Sequence, residues 1–131
     1  MVKALYPLAL GLLALQAQAG DLPNRLQAVG YGAPNPVADG TSTAQKQLMA
    51  IRAAKLDAYR SLAEQLYGLR ITSHTTVSAL AVQHDGFRAY LDGVVRGAKV
   101  VSTTPVANGS YETVIELELG NSFYQQASRW Y

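Results

Sequence analysis

The residues able to do chemistry are few and scattered. His74 and His84 are the only histidines, there is no cysteine, and no carboxylates fall at a metal-ligand spacing, so a metal site has no set of donors to build on. His84 precedes Asp85, a pairing that could orient an imidazole, yet no serine in a nucleophile-elbow setting accompanies it, and Ser73 and Ser78 read as ordinary strand residues. Asp57 and Glu64 share one helix face two turns apart, a spacing that suits a solvated surface better than a hydrolytic pair. Gly30-Tyr31-Gly32 lacks the helix start that a phosphate cradle requires. With no nucleophile, acid–base pair, metal set or cofactor motif to name, the chain is expected to be non-enzymatic and to work through its surfaces.

The elements that would carry those surfaces follow a signal segment. Lys3 precedes an apolar run over residues 4–15, and Ala17 and Ala19 supply the small residues that a signal peptidase reads, so cleavage is expected between Ala19 and Gly20. The run is too short for a bilayer core of about 30 Å and contains Pro7. Residues 1–19 are thus expected to be removed, leaving one secreted domain over residues 20–131. Without Lys3, ten basic and nine acidic side chains remain, a balance with no footprint for nucleic acid or for an anionic membrane. Absence of cysteine removes disulfides and a direct lipid anchor from the expectation.

Residues 26–32 alternate and read as a strand; residues 33–43 have the composition of a loop. Thr41, Ser42 or Thr43 can cap the following helix, which runs to Gly68, a residue suited to a left-handed helix end. Its apolar stripe is Leu48, Ile51, Ala58, Tyr59, Leu62 and Leu66, with the stem of Lys55 at the margin, and the row Ala50, Ala54 and Ala58 would let it lie close on a sheet. Residues 70–82 are rich in β-branched side chains and read as a long strand. From Asp85, taken as a cap, Phe87, Tyr90, Leu91, Val94 and Val95 mark a second amphipathic helix ending at Gly97. Asn108-Gly109 predicts a two-residue hairpin turn that sets Tyr111 opposite Val106, Ile115 opposite Ser102, Leu117 opposite Val100 and Lys99 opposite Glu118. Pro105 suits an outer strand. Residues 121–131 read as a short helix or tail. The fold class is α+β in the order β-α-β-α-β-β, with two helices on one face of an antiparallel-rich sheet of about four strands.

Val29-Gly30-Tyr31-Gly32, residues 52–68 (RAAKLDAYRSLAEQLYG), Arg96-Gly97-Ala98-Lys99-Val100-Val101 and the Asn108-Gly109 hairpin, in that order and spacing, resemble the flagellar FlgP group within the wider Helicobacter-type twenty-kilodalton lipoprotein family. The resemblance covers nearly the whole expected mature chain. It implies a small α+β domain without enzymatic activity that self-associates, with other flagellar ring proteins, into rings around the basal body beside the outer membrane. Many relatives carry a lipobox cysteine where this chain has Ala17-Gln18-Ala19-Gly20. Candidate contact groups are Pro105, Asn108, Gly109 and Tyr111 at the hairpin and Phe123, Tyr124, Trp130 and Tyr131 at the tail, aromatics being enriched where proteins meet; the alternative for the tail is that its aromatics pack back over the sheet edge. A different class, a monomeric periplasmic module binding a small ligand in a cleft lined by Tyr59, Tyr67 and Tyr90, stays open.

Overall fold

Leu26, Ala28, Gly30 and Gly32 turn inward along the first strand while their neighbours turn out, the period of two that a half-buried strand demands. A computed structural model describes residues 22–35, 40 and 42–131; the expected cleavage junction at Ala17, Ala19 and Gly20 lies outside them. The elements are β1 (Arg25–Gly32), α1 (Thr43–Tyr67), α2 (Val77–Gln83), α3 (Asp85–Arg96), β2 (Lys99–Pro105), β3 (Tyr111–Glu118) and α4 (Asn121–Ser128). The fold is α+β as expected, with a sheet of three antiparallel strands in the order β1-β3-β2 rather than four.

Ser42 starts α1 with a reciprocal cap: its Oγ accepts from the Gln45 N–H at 3.2 Å, and its own N–H donates to Gln45 Oε1 at 3.3 Å. The helix lies on β1 at backbone distance. A Cβ on Gly30 would sit 2.1 Å from the Ala58 nitrogen, and one on Gly32 would sit 2.1 Å from the Ala50 carbonyl oxygen. Ala50, Ala54 and Ala58 are fully buried along this seam, and Leu62 and Leu66 continue the buried row. Because the first half of α1 meets the sheet through alanines, Leu48, expected in the buried stripe, is 56 % exposed, and Lys55 is exposed as well. Gly68 ends the helix at φ −80°, right-handed, so the left-handed freedom expected of it is not used.

The missing strand is residues 70–82. A turn closed by Ile71 N–H donating to the Thr75 carbonyl at 2.8 Å and a single bridge between Arg70 and Thr76 replace it, followed by α2. Thr76 Oγ1 accepts from the Ala79 N–H at 3.2 Å, and Val77, Leu80 and Ala81 bury at helical spacing; cap and burial together outweigh β-propensity. His84, not Asp85, is the residue before α3, and Asp85 opens the helix, where its charge meets the positive end of the helix dipole. Phe87 and Leu91 of α3 join the core with Leu26, Leu62, Ile115 and Phe123.

The hairpin departs from its expected register by two steps, each with a cause. Residues 107–109 form a three-residue loop, with Asn108 at φ 62° and Gly109 at φ 77°, and Val106 N–H donates to the Ser110 carbonyl at 2.8 Å, so Tyr111 faces Pro105. An irregularity between Val100 and Ser102 adds the second step, leaving Ile115 opposite Val100 and Lys99 opposite Glu116. All the helices contributing to the core lie on one face of the sheet. The opposite face carries Arg25, Gln27, Val29 and Tyr31 of β1 beside Glu112, Val114, Glu116 and Glu118 of β3 and is covered by no element among the described residues.

Candidate interaction surface

Several of the groups with catalytic potential make structural contacts. Asp57 Oδ2 accepts from the Tyr31 N–H at 2.9 Å, and its Oδ1 takes Arg60 at 2.6 Å, while Arg60 also reaches Glu64 at 2.8 Å. The Tyr31 amide, then the Arg60 guanidinium, hold the Asp57 carboxyl below the usual carboxylate range. The His84 ring lies tilted against Trp130, centroids 5.2 Å apart, and His74 is exposed in the 70–76 turn; among the described residues no three His, Cys, Asp or Glu side chains gather as a metal site. Ser78 Oγ lies 3.1 Å from Thr76 Oγ1, and the Ser73 carbonyl accepts from Arg70 at 3.3 Å. Gly30 and Gly32 serve the helix seam.

The two edges of the sheet are treated differently. On β1, α1 reaches over the border: Asp57 takes the Tyr31 N–H, and Gln65 Nε2 donates to the Gln27 carbonyl at 3.0 Å. On β2, every residue except the half-buried Ser102 is exposed, including Val100 at 37 % and Val101 at 50 %. Lys99, the irregularity at Val101 and Pro105 are the features that blunt this edge, and its middle is left open.

The expected contact residues separate into two groups. Pro105, Asn108 and Gly109 are exposed and Tyr111 is half-buried beside them, so the hairpin end is a surface. The tail folds back as α4. Phe123 is 3 % exposed, Tyr124 donates its hydroxyl to the Pro23 carbonyl, and the Trp130 ring packs over Gly86, where a Cβ would meet it at 2.6 Å; Tyr131 alone of the four is largely exposed, at 58 %. Tyr59, Tyr67 and Tyr90 do not line a common cleft: Tyr59 donates to the Ala98 carbonyl at 3.4 Å, Tyr90 lies between Phe87 and Phe123, and Tyr67 borders a shallow depression of about 270 Å³ with Ser78 and Arg88.

Sequence reasoning passed over one surface. Leu48, Met49 and Leu56 are 56, 44 and 71 % exposed on the outer side of α1, with Arg52 between them. The signal was available: Leu48, Arg52 and Leu56 recur every four residues, as a row separate from the alanines.

No helix among the described residues is long and apolar enough to cross a membrane. No curated protein gives a match. The LPP20 lipoprotein family profile matches residues 34–118, from the loop before α1 to the end of β3, which fits a protein associated with the cell envelope. With its long helix and the β2–β3 hairpin inside that match, this chain belongs to the LPP20 lipoprotein family.

Proposed function

We propose that this protein is a non-enzymatic structural subunit of the bacterial envelope, which assembles into, or docks onto, a periplasmic ring at the outer membrane around the flagellar basal body and so supports motility. Family membership supports the envelope setting. The observation that carries the assembly reading is β2, a border strand with six of its seven residues exposed, whereas on β1 the Tyr31 N–H and the Gln27 carbonyl are taken up by Asp57 and Gln65. An unsatisfied row of backbone donors and acceptors is a template for a further strand, from a second copy or another ring protein. In a closed ring each subunit is held by two neighbours, so a weak pairwise contact becomes effective.

Size-exclusion chromatography with light scattering on the chain from Gly20, over a range of concentrations, tests this. Species larger than a monomer are expected, and Val101→Lys, which places a charge in the middle of the open border, should diminish them. A monomer at every concentration, together with unimpaired motility in a deletion strain, would overturn the proposal.

A further inference from the structure

We infer that successive copies of this chain pack helix onto sheet, the outer side of the first half of α1 in one copy lying on the open sheet face of the next. This rests on the assembly reading above and assigns it a second interface distinct from the β2 border.

The two surfaces match in shape and charge. Residues 43–56 carry Lys46, Arg52 and Lys55 and no carboxylate, and Leu48 and Leu56 flank Arg52 along one row of the helix. None of the three cations makes an ion pair among the described residues, whose three bridges join Arg25 to Glu118 and Arg60 to Asp57 and Glu64. On the sheet, Val29 pairs with Val114 at the centre, and Glu112 stands beside it between Tyr31 and Thr104. Glu118 is held by Arg25 at 2.8 Å and Glu116 has Gln27 and Lys99 opposite it, whereas Glu112 has no cation across either strand. Its neighbour Tyr31 is 59 % exposed, with its hydroxyl pKa raised chiefly by a hydrogen bond to the Glu112 carboxylate. A basic ridge with apolar shoulders thus meets an apolar patch with an acidic group beside it.

The lengths agree too. Fourteen helical residues span about 21 Å, and the eight residues of β1 or β3 span about 26 Å. A helix laid on a sheet is also the arrangement this domain already uses on its other face. Because the ridge and the sheet face lie on opposite sides of a two-layer domain, the contact joins unlike surfaces. Such a contact propagates, and it closes into a ring when the rotation per subunit divides a full turn.

The absence of native cysteine makes the test direct. Leu48→Cys and Val114→Cys are made separately in the chain from Gly20, mixed and oxidised; a Leu48–Val114 disulfide between copies is expected in the mixture well above the homodimers that either variant forms alone. Arg52→Glu and Glu112→Lys should each weaken association roughly tenfold, and the double variant should recover it, while circular dichroism melts verify that each variant folds. Oligomers that survive both charge reversals without the cross-link, yet dissolve in Val101→Lys, would overturn the helix-on-sheet contact and leave the assembly reading standing on β2. Monomers at every concentration with no cross-link would overturn both.

Discussion

Gly30 and Gly32 are where the smallest side chain has the largest structural effect. A methyl group at either would intrude to 2.1 Å on α1 backbone atoms, which cannot step aside as a side chain can. Gly30→Ala and Gly32→Ala should each cost about 3 kcal/mol or more in chemical denaturation, the upper range for overpacking. Gly93, in α3 with nothing within 4 Å of its would-be Cβ, gives the opposite sign: Gly93→Ala should stabilise by about 0.5–1 kcal/mol. Thr113 is fully buried and its Oγ1 finds no partner among the described residues, so Thr113→Val, similar in shape, should stabilise by about 1 kcal/mol. Asp57 titrates with a lowered folded-state pKa, so its contribution is complete above the unfolded value near 3.9 and is lost as pH falls through the folded value. Denaturation midpoints of wild type and Asp57→Asn should therefore differ at neutral pH and converge below about pH 4. The seam was legible in advance, since the four-residue period of Ala50, Ala54 and Ala58 states how close the helix comes. Burial of Thr113 without a partner was not, because it depends on which strand lies at the centre of the sheet.

At the scale of elements, local signals decided correctly wherever two of them agreed. α1 has loop composition before it, a capping serine and a long amphipathic pattern, and Ser42→Ala should lower stability by about 1 kcal/mol through loss of its cap. Residues 70–82 show the failure: threonines and valines favour a strand, but Thr76 acts as a cap and Val77, Leu80 and Ala81 have the spacing of one helical face. The hairpin shows a different one. Asn-Gly located the reversal, while the register depended on the extra loop residue and on the irregularity at Val101, neither of which a pairing pattern encodes. The tail aromatics left two readings open: Phe123 and Trp130 have the types that partners prefer, and the same types pack back on the domain, which is what they do where Trp130 meets Phe87.

At the scale of the whole molecule, the helices among the described residues occupy one side of the sheet and leave the other bare. Which strands form the borders could be anticipated only for β2, through Pro105; the guarding of β1 by Asp57 and Gln65 required the helix to be placed first. The alanine seam has a further consequence for motion. Ala50 and Ala54 remove far less apolar area from water than Leu62 and Leu66 do, so the first half of α1 is anchored by close backbone contact and little else. Amide hydrogen exchange should accordingly slow along the helix from its first turns towards Leu66, with the early turns opening without loss of the core. Any neighbour that lies on those turns would bind the closed helix alone, so that part of the free energy of assembly is spent in completing the fold, and rising subunit concentration would suppress exchange in residues 43–56 first.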